Sequence, residues 1–388
     1  MLPARKPVSA RFSSGPTKKC PGWNLTQLDD IHLGRSHRAA QPKASITSAI
    51  DRMSALLELP ADYRLGIVPG SDTGAVEMVI WSLLGQRGVD ILAWESFGKT
   101  WVNDVTKQLQ LDDCRVLEAE WGHLPALEDV DFSRDVLFTW NGTTSGVKVP
   151  DGNWIPDDRD GLTIADATSA CFAMPMPWSK IDIATFSWQK SLGGEGAHGV
   201  LILSPRAVAR LEEQAPPRPL PKLFQLTKNG KLIEGIFRGD TINTPSLLAI
   251  SDLHIALDWA ESIGGLSALV ERSMTSLAHV EKWVEQTPWV SFLSVSPETR
   301  SNTSICLSIV DEDVKALGQT EQNAFAKRMV ALCADQMVAF DIGAYRTAPA
   351  GLRIWAGPTV EPDDVALLLP WLDWAFATVK NELLNEEK

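Results

Sequence analysis

The sequence predicts an α/β fold in which a large domain with a mostly parallel, mixed sheet precedes a smaller C-terminal α+β domain. Short apolar runs alternate with helical patterns through the first two thirds of the chain, and long helical patterns later flank TSICLSIV and QMVAFDIGAY. The 388 residues are 44% hydrophobic and 22% charged, which suffices for a large core and two domains. We expect an N-terminal segment over 1–19, a large domain over 20–262 and a small domain over 263–388.

The elements of the large domain follow one another as strand and helix candidates. The apolar runs predicted to form strands are RLGIVPG, DILAW, DVLFTW, LTIADA, IDIATFSW and GVLILS. Helical patterns such as AVEMVIWSLLGQRG and TWVNDVTKQL lie between several of them, and this order favours a parallel sheet. The proline-rich stretch at 215–224 predicts a loop. The helical stretch after it ends at Gly264 and Gly265, where the domain boundary is expected.

Charge and composition exclude several classes of protein. The net charge of −13 argues against nucleic acid or an anionic membrane as the main partner. No run of about 20 uncharged apolar residues is present, and no apolar segment follows the basic N-terminal stretch, so we expect neither a membrane span nor a secretory signal. The five cysteines are odd in number and lack metal-ligand spacing, which favours a reduced, cytoplasmic protein without a metal site.

Several predicted strands end in polar residues, at the position where an α/β sheet presents its chemistry. LTIADATSA places Asp166 at the end of a buried strand, and Lys190 follows the next strand candidate. In a parallel sheet these two ends lie at the same edge. VPGSDTGAVEM passes from a strand into a helix, where backbone amides and the hydroxyl of Ser71 or Thr73 favour a phosphate. Each feature alone is also typical of an ordinary turn, helix cap or surface lysine.

A carboxylate, a lysine and a phosphate-binding turn at one edge together predict a site for pyridoxal 5′-phosphate. Lysine must lose its proton to form a Schiff base with the cofactor's aldehyde, and burial beside a cationic ring lowers its pKa. Asp166 would keep the ring nitrogen protonated, so that the ring accepts electrons when a substrate Cα loses its proton. Lys190 would then carry that proton. Gly193, Gly194 and Gly196 allow the backbone to pass close by.

A set of short motifs is spread over nearly the whole chain: FSSGP at 12–16, SHR at 36–38, ADATS at 165–169, SWQK at 187–190 and NTP at 243–245. In this order the motifs resemble those of the phosphoserine aminotransferases, class V members of the fold type I pyridoxal-phosphate enzymes. The resemblance implies a homodimer with active sites at the subunit interface. It also implies reversible amino transfer between L-glutamate and 3-phosphohydroxypyruvate in L-serine biosynthesis, with pyridoxine biosynthesis left open as a second role.

The resemblance also implies roles for individual residues. Lys190 is similar to the Schiff-base lysine and Asp166 to the partner of the ring nitrogen. The other residues implied for cofactor binding are Asp72, Thr73, Phe97, Thr143, Gln189, Asn243 and Thr244, the last two from the neighbouring subunit. The residues implied for substrate binding are Ser14, His37, Arg38, Arg346 and Arg353. Arginine suits both a carboxylate and a phosphate because its planar fork pairs bidentately with either anion. Arg353 would hold the α-carboxylate, and His37, Arg38 and Arg346 the distal anion.

Two positions depart from the family pattern. Phe97 aligns best where many members place a tryptophan over the cofactor ring, with Trp94 and Trp101 nearby as alternatives, and Tyr345 stands where a histidine often precedes the distal-anion arginine. Three alternatives remain open: a serine:glyoxylate or alanine:glyoxylate aminotransferase, a cysteine desulfurase or lyase, and a non-enzymatic regulator. A desulfurase needs a nucleophilic cysteine in a mobile loop, whereas Cys306 lies in a strand pattern and Cys333 in a helical one. An intact lysine and aspartate pair argues against a regulator.

Overall fold

The structure is a computed structural model that describes residues 2–28 and 31–386. The helices up to the expected domain boundary are α1 (Ala40–Leu56), α2 (Ser71–Leu83), α3 (Ser96–Asn103), α4 (Pro205–Glu213) and α5 (Leu247–Ser262). The helices after it are α6 (Gly265–Glu285), α7 (Glu312–Lys315), α8 (Gln319–Asp335) and α9 (Pro362–Glu386). The break between α5 and α6 falls where the domain boundary was expected, and the limits of the domains stay a prediction.

The strands belong to one large sheet, one small sheet and two short hairpin-like pairs in the described residues. Those before residue 150 are β1 (Arg64–Pro69), β2 (Val89–Ala93), β3 (Cys114–Glu118), β4 (Asp135–Thr139), β5 (Asn141–Gly142) and β6 (Val147–Lys148). Those that follow in the large domain are β7 (Thr163–Asp166), β8 (Ile183–Phe186), β9 (His198–Leu203), β10 (Thr227–Lys228) and β11 (Lys231–Leu232). The small sheet contains β12 (Val290–Phe292), β13 (Ser304–Ile309) and β14 (Gly351–Trp355).

The large sheet has the strand order β1-β9-β8-β7-β4-β2-β3. Strands β3, β2, β4, β7 and β8 run parallel to one another, whereas β9 pairs antiparallel with both β8 and β1. The predicted mostly parallel, mixed sheet is therefore confirmed. Because β7 and β8 are parallel neighbours with Asp166 opposite Thr185, the residues that follow the two strands lie at one edge of the sheet.

Apolar side chains cover both faces of this sheet, as expected for strands buried on both sides. One cluster packs α1 and α5 against the sheet through the fully buried Met53 and Leu253. The other packs α2 and α4 against it through residues such as Val79. Ile202 and Leu201 of β9 belong to different clusters because successive side chains of a strand point to opposite faces. This packing fixes the strand ends that border the site.

The small domain contains an antiparallel sheet in the order β12-β13-β14, covered by α6, α8 and α9. TSICLSIV forms β13, as expected. QMVAFDIGAY, the other segment expected to supply β structure, takes part only in isolated bridges within the described chain, through Phe340 and Gly343. Met337 (φ 55°) and Asp341 (φ 60°) adopt left-handed backbone conformations that interrupt a strand, so this part of the prediction is wrong.

The N-terminal segment runs along the small domain and ends at the large sheet. Phe12 is fully buried in the small-domain core, and its carbonyl accepts a hydrogen bond from the backbone nitrogen of Trp355 at 3.0 Å. The backbone nitrogen of Thr17 donates to the carbonyl of Gln189 at 3.1 Å. The segment therefore connects the small domain to the residues beside Lys190. Across residues 2–28 and 31–386, no helix combines the length and apolar character needed to cross a membrane.

Candidate active site

The carboxyl ends of β4 and β7 border a cavity of about 180 Å³. Asp166 ends β7 and lies opposite Thr139, the last residue of β4. The residues that line the cavity are Gly15, Ser71, Asp72, Thr73, Phe97, Trp101, Thr139, Asn141, Thr143, Asp166, Thr168, Gln189 and Lys190. The structure thus brings Lys190 and Asp166 together with most of the residues implied for cofactor binding.

Lys190 is buried beside the N-terminal segment. Its Nζ donates a hydrogen bond to the backbone carbonyl of Ser14 and lies 5.7 Å from the ring centroid of Trp355. Burial lowers the pKa of Lys190 to about 8, and the positive charge of Arg353 acts in the same direction. A lysine with this pKa is partly neutral near physiological pH, and the neutral amine is the form that attacks an aldehyde.

The carboxyl of Asp166 is oriented by two hydrogen bonds. Nε1 of Trp101 donates to Oδ2 at 3.1 Å, and the backbone nitrogen of Thr168 donates to Oδ1 at 3.1 Å. The carboxyl of Asp72 lies nearby, and burial together with the charge of Asp166 raises the pKa of Asp72. A protonated Asp72 avoids repulsion between two buried carboxylates. Asp166, oriented by its two hydrogen bonds, is then the carboxyl available to a protonated ring nitrogen.

The turn before α2 explains the sequence PGSDTG. Gly70 (φ 85°) and Ser71 (φ 54°) adopt left-handed conformations as the chain leaves β1. A Cβ added to Gly74 would lie 2.1 Å from the carbonyl oxygen of Pro69, so glycine allows the helix to begin this close to the strand. No side chain caps the N-terminus of α2. Its first-turn amides and the helix dipole therefore favour an anion beside Thr73.

Helix α3 supplies the aromatic wall of the cavity through Phe97 and Trp101. Glu95, which is 1% exposed, caps this helix by accepting a hydrogen bond from a first-turn backbone nitrogen at 2.7 Å. Its other carboxyl oxygen accepts from the hydroxyl of Thr144 at 2.7 Å, and burial raises the pKa of Glu95. Glu95 thus ties α3 to the loop that carries Thr143.

The loop after β4 joins the cavity wall to the small domain. Oγ1 of Thr143 donates to Oγ of Ser169 at 2.9 Å. Nδ2 of Asn141 donates to the same Ser169 hydroxyl and to Oγ1 of Thr303, each at 2.9 Å. Asn141 and Thr143 therefore lie in a buried hydrogen-bond network that holds the two domains together beside the cavity.

The residues implied for substrate binding are less closely gathered. Ser14 contacts Lys190 through its carbonyl, and Arg353 is close enough to lower the pKa of Lys190. The buried Nε of Arg353 has no hydrogen-bond partner among the described residues, which leaves it available to an anion. The implied residues outside the cavity lining are Ser14, His37, Arg38, Asn243, Thr244, Arg346 and Arg353; of these, Arg38, Asn243, Thr244 and Arg346 are exposed.

The cavity fits pyridoxal phosphate. Among the described residues, Asp72 Oδ1, Thr139 Oγ1 and Thr168 Oγ1 are buried without a hydrogen-bond partner, and unpaired polar atoms beside a cavity indicate a polar ligand. Lys190 offers an amine for the aldehyde and Asp166 a carboxylate for the ring nitrogen. The N-terminus of α2 suits the phosphate, and Phe97 offers an aromatic face for the ring.

The sequence did not predict four residues that build this site, Glu95, Thr139, Asn141 and Thr168, and it offered Trp101 only as an alternative to Phe97 for stacking on the ring. One signal was available for Trp101. It follows Phe97 by one helical turn, and residues four apart share a face of a helix. The sequence gives no comparable signal for the pairing of Trp101 with Asp166, because that contact depends on how α3 packs beside β7.

Solved structures similar to this chain share its fold. A phosphoserine aminotransferase from Cytophaga hutchinsonii superposes with a TM-score of 0.79 at 22% identity, covering 95% of this chain and 99% of that one. A PLP-bound phosphoserine aminotransferase from Trichomonas vaginalis gives a TM-score of 0.73 at 19% identity, covering 94% and 99%. The chain therefore has the fold of these enzymes, fold type I, and the polar residues of its cavity fit pyridoxal phosphate.

Comparison of amino-acid sequences identifies the family to which the chain belongs. No family model matches the chain. The phosphoserine aminotransferase of Methanosarcina mazei is 54% identical over 380 residues, which cover 98% of this chain and 100% of that relative. The chain therefore belongs to the phosphoserine aminotransferase family.

Proposed function

We propose that this chain catalyses the reversible transfer of the amino group between L-glutamate and 3-phosphohydroxypyruvate, which yields O-phospho-L-serine and 2-oxoglutarate. The observation that carries this proposal is the 54% identity to the Methanosarcina mazei phosphoserine aminotransferase over 98% of the chain. The buried Lys190 and Asp166 in one cavity support the same chemistry. The reaction serves L-serine biosynthesis, and a second role in pyridoxine biosynthesis stays a prediction.

Each residue of the cavity has a separate role in this proposed chemistry. When bound, pyridoxal phosphate supplies an aldehyde that captures amines and a ring that withdraws electrons from the substrate Cα. Lys190 would hold the cofactor through Nζ, and its freed amine would accept the proton that leaves the substrate Cα and return it to the cofactor carbon that carried the aldehyde. Asp166 holds a proton on the ring nitrogen, and Trp101 keeps the carboxyl oriented. The first turn of α2, with Thr73 and Gln189, binds the phosphate, and Phe97 covers the ring.

The same pocket must bind the side-chain carboxylate of glutamate and the phosphate of phosphoserine. Arg353 binds the α-carboxylate, which all the substrates share. Arg38 and Arg346, with His37, bind the distal anion. An arginine fork pairs bidentately with a carboxylate or a phosphate, so one set of residues serves both substrates.

A second copy of the chain completes the site. Asn243, Thr244 and Arg38 are exposed and lie outside the cavity lining of their own chain. A homodimer would bring Asn243 and Thr244 to the cofactor phosphate of the partner. An isologous dimer would form two equivalent sites in this way.

Hybrid dimers test whether Arg38 acts across the interface. Lys190→Ala and Arg38→Ala chains are each expected to form weakly active or inactive homodimers. In a hybrid, one site would combine Lys190 of one chain with Arg38 of the other, so activity should return when differently tagged chains are co-expressed and the hybrid is purified. A hybrid as inactive as the parents would show that Arg38 acts within its own chain.

A half-reaction assay tests the choice of substrate. The enzyme is first converted to its amino form with glutamate and is then mixed with 3-phosphohydroxypyruvate, glyoxylate or hydroxypyruvate while the cofactor absorbance is followed. We expect 3-phosphohydroxypyruvate to restore the original spectrum at the lowest concentration. Faster recovery with glyoxylate would favour the glyoxylate aminotransferases instead.

The desulfurase alternative conflicts with the thiols of this chain. Burial raises the pKa of Cys306 and of Cys333 to about 12, and it also raises the pKa of Cys171, which lies near Asp72 and Asp166. A persulfide-forming enzyme needs an accessible thiolate. All five cysteines are free, and the reducing, cytoplasmic setting expected from them stays a prediction.

A further inference from the structure

Residues 344–350, here called the recognition loop, contact the first turn of α3 at two points. Oγ of Ser96 and Oγ1 of Thr347 form a hydrogen bond of 2.6 Å. The rings of Phe97 and Tyr345 lie 5.8 Å apart between centroids, at an interplanar angle of 45°. Because Phe97 lines the cavity and Tyr345 precedes Arg346, these contacts join the cofactor side of the site to the substrate side.

Tyr345 also contacts both arginines expected to bind substrate. Cζ of Arg346 lies 5.6 Å from the Tyr345 ring centroid, and Cζ of Arg353 lies 5.5 Å from it. Both distances fall within the range of about 6 Å in which an aromatic face attracts a cation. A single ring therefore sets the spacing of two guanidinium groups, one for each anion of a dianionic substrate.

The α3 side of this contact is fixed by buried groups. The backbone nitrogen of Ser96 donates to Oγ1 of Thr144 at 3.0 Å, and that hydroxyl donates to Glu95 at 2.7 Å. Thr347, in contrast, is exposed on the recognition loop. Ser96 thus presents its hydroxyl from a rigid helix end, and the loop takes its position from that anchor.

We propose that docking of the recognition loop on α3 positions Arg346 for the distal anion, with Ser96, Tyr345 and Thr347 as positioning residues that determine specificity for dianionic substrates. The proposal rests on the function proposed above. A substrate without a second anion does not use Arg346, so loss of the docking contact should affect phosphoserine more than serine.

Thr347→Val tests the hydroxyl contact with little change in side-chain shape. The ratio of kcat/KM for phosphoserine to that for serine should fall about fivefold to tenfold, through KM for phosphoserine, because one hydrogen bond is lost. Thr378→Val is the matched control, since Oγ1 of Thr378 bonds within the described residues to the carbonyl of Trp374, one turn earlier in α9 of the small domain. An unchanged ratio in Thr347→Val, or an equal loss for both substrates, would overturn the proposal.

A double-mutant cycle and a ring substitution separate docking from general destabilisation. Ser96→Ala combined with Thr347→Val should lower the ratio no further than Ser96→Ala alone, because Ser96→Ala already removes the bond to Thr347, along with the bond that Oγ of Ser96 accepts from Thr144 at 3.3 Å. Additive losses would contradict the contact.

Tyr345→Phe should retain the ratio, whereas Tyr345→Ala should lower it more than tenfold because both arginines lose the ring that lies between them. Equal losses in Phe and Ala variants would exclude the ring as the spacer.

The wild-type protein separates this proposal from the function on which it rests. If the unmodified enzyme does not prefer phosphoserine to serine, the proposed function itself fails. If it does prefer phosphoserine and Thr347→Val retains the full preference, only the docking role of the recognition loop fails.

Discussion

The cofactor side and the substrate side of this site are built in different ways. Lys190, Asp166 and Asp72 are buried and follow strands of one rigid sheet. Arg38 and Arg346 are exposed and lie on connecting segments outside the cavity lining. The groups that we propose for the chemistry are thus fixed by the core of one chain, whereas those proposed for the distal anion lie on loops and, as we propose, depend in part on a second chain.

This difference shows where precision and adaptability are needed. A proton moves between atoms whose separation must be held closely, and a packed sheet edge provides that rigidity. Two substrates with different distal anions must enter the same pocket, and loops with arginine side chains can adjust to both. Substitutions on the cofactor side should therefore reduce turnover, and those on the substrate side should alter KM.

Lys190→Ala is expected to have the largest effect. Activity should fall by several orders of magnitude, since the chain loses both the group that holds the cofactor and the group that moves the proton. The measurement is turnover together with a melting temperature, which should stay close to that of the wild type. Lys148→Ala is the matched control, because burial also lowers the pKa of Lys148 but the residue lies outside this cavity. Substantial turnover in Lys190→Ala would show that Lys190 does not hold the cofactor, and the comparison between the two sides of the site would then fail.

Asp166→Asn should rank second. An amide cannot stabilise a positive ring nitrogen as a carboxylate does, so kcat should fall by about 10²-fold or more while KM changes little. Steady-state kinetics and cofactor content are the measurements. Asp373→Asn offers a control, since Asp373 also accepts indole hydrogen bonds, from Trp283 and Trp289 in the small domain. If Asp166→Asn changed KM alone, Asp166 would belong to the substrate side.

Cofactor uptake should depend on pH through the amine of Lys190. The neutral amine reacts, and burial lowers the pKa of Lys190 to about 8. The rate of uptake by the apoenzyme should therefore fall about tenfold for each pH unit below that value and level off above it. Visible absorbance after mixing measures this rate. A midpoint close to that of an exposed lysine would show that burial does not activate this amine.

Trp101→Phe should have the smallest effect of the four. It removes the indole bond to Asp166 but keeps an aromatic wall, so kcat should fall about fivefold, the equivalent of one hydrogen bond. Trp283→Phe loses a comparable indole–carboxylate bond far from the cavity and should leave kinetics unchanged. Equal kinetics in the two variants would mean that Trp101 supports only stability.

Much of the cofactor side was predictable because strand order determines it. One apolar run ends in Asp166, and a second precedes Lys190. Because the two strands pair in parallel, both groups lie at one edge of the sheet. The turn before α2 was equally predictable, from the sequence PGSDTG. The prediction of β structure in QMVAFDIGAY was wrong, because the apolar pattern of this segment does not reveal the left-handed backbone conformations of Met337 and Asp341.

The substrate side was predictable only through resemblance to known enzymes. Nothing in the local sequence links Thr347 to Ser96, or Tyr345 to Phe97. These contacts join the two domains across long stretches of chain. They are decided by how the small domain packs on the large one, and sequence periodicity carries no information about that packing.

By itself the sequence determined which chemical groups this protein carries, the α/β alternation, and the strand ends at which a lysine and an aspartate stand. Only the tertiary structure decided that Trp101 orients Asp166, that Glu95 anchors α3, and that Lys190 is an amine of lowered pKa. The physical reason is that the positions of strands along the chain follow from local patterns, whereas burial and charge proximity arise only when distant segments exclude water together.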